Sequence, residues 1–457
     1  MSHSTSNAHL LVYPYHTSGH IIPLLDLTNL LLHRGLTITV AINTASLPLL
    51  DPLVSSYPSS LHKLVLHDPE ISPFSHPAAA KLVSTRKLFD PIAKWFETHP
   101  LPPVAILADI VLGWTSELAS KLGIRHVVFS ASGALAFSIY HAMWQDVEKF
   151  IGENHNGDEN FVISFPEMPN SPQFTWWQIA RVARYYKKED PDYESLRKGM
   201  MANLKSWAII CNTFEELEGV YINHMKKHWS HDQVWAVGPL LPDEHGPMGS
   251  SGRGGSSAVP PHDLLMWLDK KRDDSVVYIC FGSKFTLSEK QVSELANALE
   301  LSYVDFILCL KKSDSSFIPS GFEDRVGDRG FIVKGWSPQL AILRHRAVGS
   351  FVSHCGWNST LEGVAAGVLM LTWPMGVDQF ANACILVDQL CVGKRVCEGG
   401  PEVIPDSVEL ARLLDESSSS DLLERVKVKE LSRAATKTVK DTSLRDLDMF
   451  VKCLSEL

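Results

Sequence analysis

Short runs of consecutive apolar residues alternate along this chain with stretches in which apolar positions recur every three or four residues. "HLLVYPY" (9–15) precedes an amphipathic segment over 22–34, and "LTITVAI" follows it. Then come "PVAILAD" (103–109), a helical pattern through "GWTSELASKLG" and "HVVFSAS" (126–132). "SWAIICNTF" and "VWAVGPL" close the first half. Runs this short and this apolar read as strands buried on both faces, and the alternation with helices predicts a parallel sheet covered on both sides. Periodicity disappears over 241–262, "LPDEHGPMGSSGRGGSSAVPPH", which reads as a linker or long loop. The pattern then restarts. "SVVYICFGS", "VDFILCLK", "GFIVKGW", "VGSFVSHCG" and "VLMLTWPM" are strand-like, with helical patterns over "SEKQVSELANALELS" and "WNSTLEGVAAG". A final helical stretch is expected over 421–457. The fold class is therefore α/β, with two Rossmann-like doubly wound domains facing across a cleft. The expected boundaries are 1–245 for the first domain, 246–262 for the linker and 263–440 for the second domain. A last helix, 441–457, is expected to rejoin the first domain.

Composition narrows the function. A chain of 457 residues is too long for one ordinary core. A net charge of −10 argues against a broad nucleic-acid surface, so an anionic ligand must be held by local features. The eight cysteines include no C-x-x-C pair and no zinc-like spacing, and they read as free thiols of a reducing compartment. The N-terminus lacks the pattern of a signal peptide, and no apolar run is long enough to span a bilayer. "GRGGSS" is no nucleotide loop, because no strand enters it and no G-K-[ST] follows. A cytoplasmic, monomeric protein is the expectation.

The stretch "SHCGWNSTLEG" carries the most chemistry. A strand ends near His354, and Gly356 permits a tight turn with close approach of backbone to ligand. Trp357, Leu361, Val364 and Val368 recur as one apolar stripe that should face the core. Asn358, Ser359 and Glu362 lie on another face near the helix start. There, free backbone N–H groups, an amide and a hydroxyl converge at the positive end of the helix dipole, an anion site suited to phosphate without any Lys or Arg. Glu362, one turn in, is placed to accept from ribose hydroxyls. Trp336, after a strand and before a proline turn, can stack a planar base. Asp378 beside Gln379 can read sugar hydroxyls, and the Ser283 hydroxyl can add to the phosphate site.

Residues 336–379 resemble the signature segment of plant UDP-dependent glycosyltransferases acting on small secondary metabolites. Trp, Gln, His, Trp-Asn-Ser, Glu and the terminal Asp-Gln all stand at that family's spacing. The resemblance implies the two-Rossmann GT-B architecture and metal-independent transfer, with no cofactor beyond the UDP-sugar co-substrate. It implies that Trp336 stacks on uracil and that the Ser337 backbone bonds to it. Gln339 and Glu362 would hold the ribose, and Ser283, His354, Asn358 and Ser359 the diphosphate. Trp357, Asp378 and Gln379 would address the sugar, and Gln379 at the last position suggests glucose. Leu369 stands where many members have proline, as in a subgroup resembling flavonol-glycosylating members.

The same resemblance separates the two histidines of "HTSGHIIP". The base is the His of G-H-x-x-P, here His20, paired with an Asp after a strand, here Asp109. The expected reaction is an inverting O-glucosyl transfer from UDP-glucose to a flavonoid or other phenol. His16 reads as a turn or acceptor-pocket residue; its i, i+4 spacing to His20 suggests no metal pair, since a turn intervenes and no third ligand is evident. Trp114, Phe129, Tyr140 and Trp144, with His16, are the candidate acceptor-pocket residues. Expected partners are thus UDP-glucose and a small phenol, with no metal, nucleic acid or membrane span. UDP-xylose or UDP-rhamnose as donor, or a non-catalytic UDP-sugar-binding protein on the same fold, are the alternatives. A dehydrogenase lacks its G-x-G-x-x-G here, and a serine hydrolase its G-x-S-x-G. No carboxylate pair marks a glycosidase.

Overall fold

Apolar runs become the strands of two parallel sheets. The protein was analysed as a computed structural model, which describes residues 8–72, 77, 79–154, 156–229, 232–242, 249, 253 and 257–457. Much of the predicted linker, residues 246–248, 250–252 and 254–256, lies outside the described residues. The chain divides into two compact units, Met1–Leu241 with Thr438–Leu457, and Pro242–Lys437.

In the first unit the strands are β1 (His9–Tyr13), β2 (Thr37–Asn43), β3 (Leu61–Leu66), β4 (Ala105–Asp109) and β5 (Arg125–Ser130). A short antiparallel hairpin, β6 (Val162–Ser164) and β7 (Gln173–Thr175), stands apart from β8 (Ala208–Cys211) and β9 (Val234–Ala236). The main sheet has the order β3-β2-β1-β4-β5-β8-β9, with every pair parallel. All residues of β1 and β4 are buried, as expected for central strands covered on both faces.

The second unit repeats the plan. Its strands are β10 (Val276–Cys280), β11 (Asp305–Leu310), β12 (Gly330–Lys334), β13 (Val348–Ser353), β14 (Leu369–Thr372) and β15 (Gly393–Arg395). They run parallel in the order β12-β11-β10-β13-β14-β15. In both sheets the order reverses direction beside the first strand, between β1 and β4 and between β10 and β13. In open parallel sheets ligands bind beyond the carboxyl ends of the strands at such a switch point.

Two expectations about helices are corrected. The helix expected from residue 22 begins at Ser18 and runs to Leu32, with Pro23 inside it. A proline near the start of a helix forfeits a single backbone hydrogen bond, so it does not mark the boundary that the sequence suggested. The final stretch is two helices, Leu423–Lys440 and Thr442–Ser455, separated at Asp441. The second packs on the first unit: Ser443 Oγ donates to the Gly238 carbonyl (2.6 Å) and the Ala236 N–H donates to Asp446 (3.1 Å). Phe450, fully buried, packs against Trp235. Among the described residues no helix is long and apolar enough to cross a membrane.

Candidate active site

Asp109 is the last residue of β4, and His20 lies in the first turn of the helix that follows β1, so the switch point brings them together across 89 positions of sequence. The His20 Nδ1–Asp109 Oδ2 distance is 2.9 Å. The Asp109 side chain is wholly buried and its other oxygen accepts the Val111 N–H (3.0 Å), while His20 keeps part of its surface exposed. A carboxylate so fixed accepts Nδ1–H and makes Nε2 the basic nitrogen of the ring. Tyr15 meets the His20 ring edge-on, with centroids 5.5 Å apart. Burial, reinforced by the Asp109 charge, pushes the Tyr15 phenol up to about 12, so it stays protonated.

His16 plays a different part. It is half-buried against β2, its Nε2 lies 3.4 Å from the Ala41 carbonyl, and burial holds its pKa below the usual histidine value. The other acceptor-pocket candidates divide. Tyr140 is half-buried, but Phe129 and Trp144 have no exposed surface and belong to the core. Trp114 is also buried, its indole N–H donating to Thr85 Oγ1 (2.9 Å). Of the five residues expected to line an acceptor pocket, these three are packing residues in this structure.

In the second unit the helix Trp357–Ala366 starts directly after the β13 turn. Its N-cap is Gly356, which has no side chain to cap with, and the positive end of the helix dipole lies there. Trp357, Leu361, Val364 and Val368 are all buried, as the stripe requires. The Trp357 indole is therefore core, as the stripe predicted, with 3% of the residue exposed. The tight turn is built differently from the expectation. Cys355 takes the left-handed conformation (φ 62°), whereas Gly356 has φ −59°. Gly356 is needed for another reason: a Cβ there would stand 2.6 Å from His354 Nε2. Gly282 abuts the same ring, its would-be Cβ 2.7 Å away. His354 is thus clasped between two glycines. Burial, with the charge of Lys311, pushes its pKa down to about 4, so the ring is neutral, and its Nδ1 has no partner among the described residues.

The remaining side chains form one hydrogen-bonded cluster. Gln339 Nε2 donates to Glu362 Oε2 (2.7 Å) and to Ser359 Oγ (3.0 Å). The buried Tyr278 hydroxyl lies 2.8 Å from Ser337 Oγ and donates to Gln339 Oε1 (3.3 Å). Trp336 is half-buried, Asn358 likewise, and Ser283 is exposed beyond the end of β10. Gln379 Oε1 accepts the N–H groups of Met375 (2.7 Å) and Gly376 (3.1 Å), which turns its amide nitrogen into the remaining donor. Asp378 accepts from Asn382 Nδ2 (3.1 Å) and keeps partial exposure.

Three residues escaped the sequence reading. Tyr278 lies mid-strand in an apolar run, where nothing marks its hydroxyl as functional. Lys311 directly follows β11; half-buried, its ammonium has no hydrogen-bonding or ion-pair partner among the described residues. Its place at a strand's carboxyl end is the signal that would have found it. Arg253, inside the segment read as linker, is buried and its guanidinium pairs with Glu362.

Known proteins extend these observations. The model of the family described as UDP-glucoronosyl and UDP-glucosyl transferase matches residues 254–394, which span the whole cluster around the Trp357–Ala366 helix. UDP-glycosyltransferase 89B2 of Stevia rebaudiana is 43% identical, the alignment covering 100% of this chain and 99% of that protein. Flavonol 3-O-glucosyltransferase UGT89B1 of Arabidopsis thaliana is 40% identical, with 98% and 96% covered. Among solved structures, Arabidopsis thaliana UGT89C1 complexed with UDP-L-rhamnose is similar at a TM-score of 0.80 and 32% identity, covering 99% of this chain and 100% of that one. Two Rossmann-like units with these neighbours define a glycosyltransferase of the GT-B class. The chain belongs to the UDP-glycosyltransferase family, and it is an enzyme of that kind.

Proposed function

We propose that this enzyme transfers glucose from UDP-glucose to a hydroxyl of a flavonol or related phenol, with inversion at the anomeric carbon. The observation that carries the reading is the His20–Asp109 pair, a half-exposed imidazole held at 2.9 Å by a buried carboxylate. A phenol with a pKa near ~10 is mostly protonated at neutral pH. His20 Nε2 takes that proton as the phenolic oxygen bonds to the anomeric carbon, and Asp109 stabilises the imidazolium that forms. The bond from the anomeric carbon to the UDP oxygen breaks in the same displacement, and UDP leaves as the anion.

The leaving diphosphate is assigned to the uncapped start of the Trp357–Ala366 helix with Asn358, Ser359, Ser283 and neutral His354. Lys311, whose charge is felt at His354, adds a cation that the sequence reading did not require. With these donors in place, transfer is expected to proceed without a metal. Uracil is assigned to Trp336 and Ser337, ribose to Gln339 and Glu362. His16 and Tyr140 remain the acceptor-side residues with surface to offer. The eight free thiols support a cytosolic location.

Glucose is preferred on Gln379, whose carbonyl oxygen is engaged by backbone N–H groups so that its amide nitrogen is left as the donor. The relative named a flavonol 3-O-glucosyltransferase supports the same choice. Rhamnose is the second reading, on the likeness to a structure solved with UDP-L-rhamnose. A mass-spectrometric transfer assay with UDP-glucose, UDP-rhamnose and UDP-xylose, a panel of flavonols and simple phenols, and a chelator present decides between them. A glucoside as main product supports the proposal. A rhamnoside or xyloside as main product overturns the donor assignment, and loss of transfer in chelator overturns metal independence.

A further inference from the structure

Cys280 ends β10 and Cys309 stands near the end of β11, and the two are register partners in adjacent parallel strands. Partners in register project to the same face of a sheet, and that face also carries Tyr278, two residues before Cys280. Neighbouring strands lie about 4.8 Å apart, inside the Cα separation that a disulfide spans. The two thiols are within hydrogen-bonding reach of each other, and Cys309 Sγ donates to the Gly335 carbonyl (3.2 Å). Gly335 leads directly into Trp336 and Ser337, and Ser337 is held by Tyr278. Cys280 is half-buried and Cys309 buried, so an oxidant in solution meets Cys280 first. Interaction with the Cys309 side chain holds the Cys280 thiol below the ordinary cysteine value, while Cys309 is pushed up; Cys280, also the more exposed of the two, is therefore the nucleophile of the pair.

We propose that Cys280 and Cys309 form a dithiol modification site, closed to a disulfide by a small-molecule disulfide such as oxidised glutathione, and that closure weakens nucleotide binding. The Cys280 thiolate, its proton lost to solvent, attacks one sulfur of the oxidant and expels a thiolate, giving a mixed disulfide. The Cys309 sulfur gives up its proton and attacks Cys280 Sγ, expelling the second thiolate. One oxidant disulfide is reduced to two thiols, and two protein thiols are oxidised to one disulfide. The Cys309 S–H is consumed, so the Gly335 carbonyl loses its donor just where the chain enters the base-binding segment. The charge of Glu362, assigned above to the ribose, is felt at Cys280. Bound UDP is therefore expected to shield it. The effect on UDP rests on the nucleotide reading above; formation of the cross-link does not.

The test uses the full-length enzyme, first reduced and then equilibrated with oxidised glutathione. Intact mass and peptide mapping without reductant read the cross-link, and calorimetry reads UDP affinity. Expected are a product two hydrogens lighter carrying a Cys280–Cys309 peptide, and an affinity weaker by about tenfold, the scale of one well-placed hydrogen bond. Dithiothreitol should restore the affinity, and saturating UDP should slow closure. In Cys280→Ser, and in Cys280→Ala should the serine variant fold poorly, oxidant should no longer change the affinity, whereas Cys309→Ser should stop at the mixed glutathione disulfide on Cys280. A folded enzyme that yields no such peptide overturns the proposal, as does a cross-linked enzyme that binds UDP like the reduced one. Failure of the reduced enzyme to bind UDP at all counts against the proposed function instead, and the peptide map still decides the cross-link.

Discussion

Replacing His20 with alanine deletes the basic nitrogen that Asp109 orients. Positioned general bases contribute about 10²–10⁴-fold, so kcat should fall by that order while UDP affinity, measured by calorimetry, stays unchanged. Retained transfer, or lost UDP binding, would refute the role given to His20. Glu362→Ala should act in the opposite sense. It removes the carboxylate that Gln339 bonds, so UDP affinity should drop by about tenfold or more, the scale of a hydrogen bond to a charged group. An unchanged dissociation constant sinks the ribose contact. At this scale the sequence located residues wherever a motif fixed both type and spacing: His20 lies beside Asp109, and Trp357-Asn358-Ser359 opens a helix. It was uninformative for Phe129 and Trp144, because an apolar aromatic suits a core and a phenol pocket equally. Lys311 was invisible for a further reason: its meaning depends on which strand end it occupies, and that is a property of the sheet order rather than of its neighbours in sequence.

The helix Ala134–Gln145 shows how an element can depend on a distant residue. Its N-cap is Gly133, which has no side chain to offer. The buried Glu218 carboxylate takes over, accepting the Ala134 N–H (2.7 Å), the Leu135 N–H (2.9 Å) and the Thr213 hydroxyl (2.7 Å). A negative charge at a helix start is favourable, and each hydrogen bond to a charged group is worth about 1.5–3 kcal/mol. Glu218→Ala should therefore lower the stability of the first unit by about 2–4 kcal/mol, read from the urea midpoint, and Glu218→Gln by less. Equal midpoints for wild type and the alanine variant would dismiss the cap. Local periodicity announced the Trp357–Ala366 helix, since stripe and start lie within one turn of each other in sequence. It could not announce a cap 84 residues away, nor that Cys355 rather than Gly356 takes the left-handed turn. The glycine pattern pointed to the right place for the wrong reason: the constraint is the His354 ring, a contact the sequence does not encode locally.

At the scale of the molecule, three histidines, His126, His141 and His354, are buried neutral, their pKa values pushed down to about 4 by burial. In the unfolded chain they titrate near ~6.5. Between those values the unfolded chain binds the extra protons, so stability rises with pH across the window. Their contribution is complete above pH ~6.5 and is lost as pH falls towards ~4, at about 1.4 kcal/mol per pH unit for each histidine. Urea midpoints measured from pH 7.5 down to 4.5 should fall with decreasing pH in both units, because His126 and His141 belong to the first and His354 to the second. Midpoints that stay level below pH 6 would contradict the burial of these rings as neutral groups. The doubly wound plan of each sheet was legible, because strands buried on both faces leave a continuous apolar signature. The break at Asp441 was not, since both flanking segments are amphipathic. That last segment has a consequence for recombination. The first unit is assembled from two separate stretches of chain, and Phe450 fills a buried place against Trp235. A chimera that trades this unit with a relative at a single crossover near residue 241 would pair one parent's Trp235 face with the other parent's C-terminal helix. Double-crossover chimeras, carrying the segment from Thr438 onward together with the residues up to Leu241, should express as folded protein where single-crossover ones lose solubility, so both ends of the coding sequence must be exchanged together.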